Sequence, residues 1–218
     1  MSAESGIKTF RDSGGLWEEY RIEDVATPEA WQKNPRLVLE FYNQRRKQVM
    51  QAKPNKGHVI LAELEKHFDI QIITQNIDDL HERAGSKKVL HLHGQIMKSQ
   101  SSTDPNLIYT MARPEINYGD KCEKGSQLRP HIVWFGEMVP EMENAIDLVA
   151  DADVFITVGT SLVVYPAAGL IHYTPSQSVK YLVDPGDFDS TVLGNLRHIK
   201  MGASDGLKQL QKELLSVA

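Results

Sequence analysis

The sequence predicts an α/β protein built on a parallel, doubly wound sheet, and three observations carry that prediction. Apolar, β-branched runs of strand length occur at 70–73, 154–158 and 179–183. Each run stops in small or polar residues: Thr74-Gln75-Asn76 and then Asp78, Gly159-Thr160-Ser161, and Asp184-Pro185-Gly186. Stretches with helical spacing of apolar residues alternate with the runs. Strands covered on both faces read as nearly continuous apolar runs, and in open sheets ligands bind beyond the carboxyl ends of the strands.

Composition sets the outer limits. A chain of 218 residues, 41% hydrophobic and 24% charged, is long enough for one substantial core and reads as a single domain over 1–218 with a smaller lobe. A net charge of -5 argues against nonspecific binding to nucleic acid or to an acidic membrane surface. No apolar run approaches the roughly 20 residues of a membrane span, and the start resembles neither a secretory signal nor a transit peptide. The single cysteine, Cys122, excludes an intramolecular disulfide framework. A soluble cytoplasmic protein is expected.

In chain order, residues 1–17 are small, polar and Gly-rich, and read as a loop. Asn34-Pro35 opens a helix to about Met50, with Asn as N-cap and Pro at its first position. Leu37, Val38, Phe41 and Val49 supply its apolar side; Tyr42 and Arg45, three apart, share a face, while Arg46 is expected in solvent. A second helix is predicted over Gly57–Phe68, facing inward through Ile60, Leu61, Leu64 and Phe68. The strand at 70–73 follows, then an apolar patch at 89–92 that ends in His93-Gly94. Between about 95 and 130 periodicity gives way to Ser, Asp, Pro and Gly, the pattern of an irregular lobe. An apolar stretch at 131–135, a helix at 144–150 and the strands at 154–158 and 179–183 come next, and Ser204 is expected to cap a helix carrying Leu207, Leu210 and Leu214.

His93 is the first candidate for chemistry, since imidazole titrates near neutrality, although a lone histidine after an apolar run is more often a core or surface residue. His91, two residues back in an extended segment, shares its face without converging on one ion, and is expected to face solvent. Gln75, Asn76 and Asp78 suit a strand-ending turn for local reasons, and their amides also suit a hydroxyl-rich ligand. No G-x-G-x-x-G precedes a helix, so an ordinary dehydrogenase fingerprint is absent.

Taken in order, Thr74-Gln75-Asn76-Ile77-Asp78 followed by Leu92-His93-Gly94 resembles the paired signature of the sirtuins, the NAD-dependent protein deacylases. The resemblance runs from Ser2 to about Leu214. It implies a Rossmann-like sheet with helices on both faces, NAD consumed as co-substrate, acyl-lysine proteins or peptides as partners, and nicotinamide and O-acyl-ADP-ribose as products. It makes His93 the general base for a ribose hydroxyl of NAD. It places Asn76 and Asp78 at the nicotinamide end, Gln75 on the ribose, and Gly159, Thr160 and Ser161 on the adenosine ribose and phosphate side. Ala203 then lies near the adenine and Asp184 near a ribose. Ser2–Gly6 and Thr9-Phe10-Arg11 resemble the cofactor loop, with Phe10 and Arg11 as cofactor contacts. The strand and Gly-Ala-Gly turn that precede this loop in the family do not occur in this sequence.

On the substrate side, Val133 to Val139, VWFGEMV, resembles the segment that receives the substrate peptide as an added strand, through Val133, Phe135, Gly136 and Glu137. Tyr42 and Arg45 match the Tyr-x-x-Arg pattern of sirtuins that remove succinyl and malonyl groups. Ala26 resembles the small residue that leaves room for the longer acyl chain. Sirtuins bind a structural zinc through four cysteines in the lobe; tetrahedral zinc needs four ligands, and Cys122 alone cannot supply them, so a zinc-free lobe is expected. Acetyl removal is also compatible with the resemblance. Two alternatives remain at this level: an ADP-ribosyltransferase or NAD hydrolase, and a non-catalytic nucleotide-binding protein.

Overall fold

The computed structural model describes residues 1–8, 16–17, 20–111, 113–160, 167–187 and 195–217. Phe10, Arg11 and Ser161 lie outside them. A short 3-10 turn, Ser2–Ser5, precedes a two-stranded ribbon of β1 (Leu16–Trp17) and β2 (Tyr20–Arg21). Helices α1 (Ile22–Val25), α2 (Pro28–Lys33), α3 (Pro35–Gln51) and α4 (Lys56–Leu64) follow. Then come β3 (Ile72–Thr74), α5 (Leu80–Ala84), β4 (Val89–His91), β5 (Gly94–Ser101), β6 (Ile108–Thr110) and β7 (Leu128–Ile132). The chain continues through α6 (Met142–Ala150), β8 (Val154–Val158), a 3-10 stretch Ala167–Tyr173, β9 (Val179–Val183), β10 (Leu196–Ile199) and α7 (Ala203–Val217).

Local chemistry starts these helices where the sequence places them. Asn34 Oδ1 accepts the Leu37 amide at 3.2 Å and Pro35 takes the position whose N–H would be orphaned, so α3 begins as expected. Asn55 caps α4 through the Gly57 and His58 amides, and His58 Nδ1 accepts the Asn55 amide in return, a capping box closed by histidine. Helix α4 ends at Leu64; the chain then turns, so Phe68 reaches the core from beyond the helix.

Strands β3 and β4 pair in parallel, as do β8, β9 and β10 in the order β10-β9-β8. Their side chains alternate between two cores, as period-2 geometry requires. Ile72, Ile156 and Val89 join the cluster built with Leu61, Leu64, Leu207 and Leu210 of α4 and α7. Ile73, Phe155 and Leu90 join the one built with Ala145 and Val149 of α6. The sheet is therefore covered on both faces, and each fully buried Leu or Ile contributes about 1.5–3 kcal/mol. Among the described residues β3 and β8 share no ladder; a cleft of about 1370 Å³ runs between them, lined by Ile72, Ile73 and Thr74 on one side and Ile156, Thr157 and Val158 on the other.

Several positions differ from expectation. The stretch at 95–130 contains an antiparallel sheet, β6-β5-β7, whose strands alternate too weakly in polarity to show as a period. Strand β3 begins two residues later than the apolar run, because its partner β4 starts pairing at Val89. Arg46 is fully buried: Nε donates to the Ile96 carbonyl at 2.7 Å, and Nη1 donates to the Pro114 carbonyl and Asn43 Oδ1 at 3.0 and 2.8 Å. It ties α3 to the lobe, and these three acceptors offset part of the cost of burying the charge, while Nη2 is left without a hydrogen-bond partner. Ser204 lies inside the first turn of α7, whose amides at Ala203 and Ser204 are taken by the carboxylate of Glu4. An anionic side chain at a helix N-terminus satisfies orphan donors and meets the positive end of the dipole.

Candidate active site

The polar loop after β3 is stitched in place by its neighbours. Asn76 donates its amide to Thr74 Oγ1 at 3.0 Å, and the Leu92 amide donates to the Thr74 carbonyl at 2.9 Å. Two histidines of the next strand segment then hold two successive carbonyls. His93 Nδ1 bonds the Gln75 carbonyl at 3.2 Å, and His91 Nδ1 bonds the Asn76 carbonyl at 3.2 Å. Gly94, next in the chain, lets the backbone pass close to β7: its φ is +80°, and a Cβ there would lie 2.2 Å from the His131 carbonyl oxygen.

His91 is buried, with Nε2 at 2.7 Å from a Glu82 carboxylate oxygen, and does not face solvent. A parallel strand between two covered faces leaves no solvent side, and that rule could have located it from sequence. For His93 the consequence is chemical. A carbonyl can only accept, so Nδ1 carries the hydrogen and the neutral ring keeps its lone pair on Nε2. Burial holds the His93 pKa below the ordinary value, partly offset by the Gln75 bond, so the ring is poised as a base.

Gln75, Asn76, Asp78, Gly159, Asp184 and Ala203 all line the cleft. Asn76 Nδ2 donates to Ser2 Oγ at 2.8 Å. Asp78 is buried and accepts the Leu80 amide at 3.2 Å; burial raises its pKa, while the bonds from Ser2 and Leu80 oppose that rise. Gly159, at φ +63°, ends β8 with its amide on the Val183 carbonyl, and the Met1 amine lies 2.5 Å from where a Cβ would stand. Thr160, next in the chain, also lines the cleft, and Asp184 Oδ1 accepts the Gly186 amide at 2.8 Å. Amide, carboxylate and glycine-turn groups thus gather at the carboxyl ends of β3, β8 and β9, a donor and acceptor set that fits a dinucleotide.

Most of the substrate-side candidates gather around the segment after β7, and of them Arg45 alone lines the cleft. The Ala26 carbonyl accepts the Phe135 amide at 3.0 Å, and the Val133 amide donates to the His93 carbonyl at 3.0 Å, so one segment touches both Ala26 and His93. Phe135 is half exposed, and Gly136 turns the chain at φ +90°. Glu137 is held by Arg129 through both oxygens at 2.8 and 3.0 Å, and also accepts the Trp134 amide at 2.7 Å; its carboxylate braces the segment. Tyr42 and Arg45 are both buried on the same face of α3; the Tyr42 hydroxyl accepts from Trp134 Nε1 at 3.1 Å, and Arg45 lines the cleft and bonds the Lys8 carbonyl at 3.4 Å. Trp134 and Arg129 were not anticipated, because their partners come from distant parts of the chain.

Among the described residues no three His, Cys, Asp or Glu side chains gather to hold a metal ion, and no helix is long and apolar enough to cross a membrane.

Comparison with known proteins agrees with this geometry. The Sir2 family model matches residues 1–166. An NAD-dependent protein deacylase of Bacteroides thetaiotaomicron is 54% identical over 220 residues, covering 99% of this chain and 94% of the relative. One from Helicobacter pylori is 50% identical over 218 residues, covering 100% and 95%. Among solved structures, a mutant Sir2 homologue in complex with ADP ribose superposes with a TM-score of 0.88 at 39% identity, covering 100% of this chain and 90% of that one. A Sir2 homologue–NAD complex gives 0.87 at 40% identity, covering 99% and 86%. The match in sequence reaches from the polar loop to the strand ends around the cleft, and by it the chain belongs to the Sir2 family.

Proposed function

We infer that the chain is an NAD-dependent deacylase of protein lysines that favours acidic acyl groups, succinyl or malonyl. The observation that carries the acidic preference is the pair of buried side chains on one face of α3, the Tyr42 phenol and the Arg45 guanidinium. A guanidinium fork with a phenol beside it suits a distal carboxylate, and charge-assisted bonds gain strength where water is excluded. Ala26, packed against Phe135, leaves the space of a small side chain there.

NAD, when bound, supplies an electrophilic ribose carbon and nicotinamide as leaving group. Asn76 and Asp78 would hold the nicotinamide end, Gln75 the ribose, and Gly159, Thr160, Asp184 and Ala203 the adenosine side of the cleft. His93 accepts the proton of a ribose hydroxyl at Nε2, while Nδ1 stays tied to the Gln75 carbonyl. The 133–137 segment receives the substrate backbone as an added strand and keeps the acyl-lysine between His93 and Arg45. Cys122 Sγ is engaged with Ser126 Oγ at 3.0 Å and is the chain's only cysteine, which supports a lobe held without zinc. Absence of disulfide-forming cysteines supports a cytoplasmic setting.

The test is a mass-spectrometric assay with NAD and equal amounts of acetyl-, malonyl- and succinyl-lysine peptides. Earlier loss of the acidic groups, with O-acyl-ADP-ribose formed, is expected. Faster loss of acetyl would remove the acidic preference, and NAD consumed without acyl-lysine would favour a hydrolase.

A further inference from the structure

Tyr42 on α3 and Trp134 beyond β7 meet through one hydrogen bond, from the indole Nε1–H to the phenol oxygen at 3.1 Å. Its direction is fixed by chemistry: indole only donates, whereas a phenol can donate and accept. Tyr42 therefore spends an acceptor site on Trp134, and its own hydrogen must point elsewhere. Both side chains are buried, and burial raises the Tyr42 pKa, so the phenol keeps that hydrogen.

The indole is braced by two further neighbours. The Arg129 guanidinium lies 3.6 Å from the Trp134 ring centroid, and the Trp31 ring packs at 5.8 Å. Arg129 also grips both oxygens of Glu137, and Glu137 returns to accept the Trp134 amide. Rotation of the indole would break a cation–π contact and leave its N–H buried without a partner, and both losses oppose it.

We propose that Trp134 is a positioning residue for acyl selectivity: by occupying an acceptor site on the Tyr42 hydroxyl, it orients the phenol to donate toward the acyl chain, where a carboxylate beside Arg45 is the matching ligand. This rests on the acidic-acyl reading given above. Two donors side by side, phenol and guanidinium, suit an anionic acceptor. An acetyl group ends in a methyl and offers them nothing. Arg129 and Glu137 act one step further back, by holding the indole in the orientation that makes the Tyr42 bond.

The experiment measures KM and kcat for succinyl- and acetyl-lysine peptides at saturating NAD in wild type, Trp134→Phe, Tyr42→Phe and Arg45→Met. It also follows the Trp134 indole N–H resonance, assigned by its persistence in both Trp17→Phe and Trp31→Phe. Trp134→Phe should lower the succinyl-to-acetyl ratio of kcat/KM about five- to tenfold, chiefly through KM, the size of one ordinary hydrogen bond between neutral groups. In wild type the indole resonance should move when succinyl-lysine peptide binds and stay in place with acetyl-lysine peptide. An equal loss on both substrates, or an unchanged ratio while Arg45→Met still loses selectivity, would overturn the role of Trp134 alone. If Arg45→Met and Tyr42→Phe lose both substrates equally, the acidic-acyl reading falls and the proposal falls with it. Should Trp134→Phe fail to fold, the wild-type indole shift decides: a resonance indifferent to succinyl-lysine overturns the proposal.

Discussion

The polar loop after β3 and the buried face of α3 solve opposite problems. Around His93 the side chains hang from a strand terminus, held by backbone carbonyls, with one ring nitrogen left over. Around Tyr42 they are sunk into the core, and their bonds run to side chains and carbonyls that fix direction. A base needs an uncommitted lone pair and modest burial, whereas recognition of a charged tail gains from strict burial and committed neighbours. The difference teaches that the proposed base and the proposed selectivity pair are held by separate sets of contacts, so substitutions at one should leave a distinct signature from those at the other.

The strongest break is at the base. His93→Ala should lower deacylation on every acyl-lysine by about 10²–10⁴-fold, while NAD binding by calorimetry is retained; turnover near wild type would remove the assigned role. Next comes its support. Gly94→Ala drives a Cβ to 2.2 Å from the His131 carbonyl at a positive φ, so it should destabilise the fold by about 2–4 kcal/mol in denaturant unfolding and weaken turnover with it. On α3, Arg45→Met should lower the succinyl-to-acetyl ratio of kcat/KM by about tenfold or more, the value of a charge-assisted bond, and competition between the two peptides reads that ratio directly.

The smallest effect per unit is in pH. Protonated His93 cannot accept a proton, and its pKa is held down by burial, so the acid limb of kcat/KM should fall below the ordinary histidine range near 6.5. Stability should follow a different pair. His58 and His81 pack at 4.7 Å and are kept neutral by burial, at about 3 and about 4. Their folded values lie below the unfolded one, so the unfolded chain binds more protons below pH 6.5. Their contribution is complete above that value and declines as pH falls toward 4 and then 3, by up to about 1.4 kcal/mol per unit for each ring. A pH-independent unfolding free energy across that window would contradict this account.

What the sequence made legible was local. The strand ends at 74–78, 159–160 and 184, the cap at Asn34-Pro35 and the shared face of Tyr42 and Arg45 each follow from neighbours within one turn or one strand. What stayed hidden depended on distant partners. Arg46 is buried because the Ile96 and Pro114 carbonyls come to it, and His91 because Glu82 does. The sheet at 94–132 emerges only when three weakly patterned strands pair. The same holds for Trp134, whose importance lies in a residue 92 positions away.

The bond between Glu4 and the start of α7 spans 199 positions in the chain, and that separation has a consequence for biosynthesis. Residues 1–5 leave the ribosome ahead of nearly everything they touch, including the Asn76 side chain that Ser2 holds and the α7 amides that Glu4 caps. Chains fold from their N-terminal side during synthesis, but this contact cannot close until α7 has emerged. The part of the cleft lined by Ser2, Glu4, Asn76 and Ala203 is therefore among the last parts of the molecule to mature, and a nascent chain that has already built β3 and α3 still lacks it.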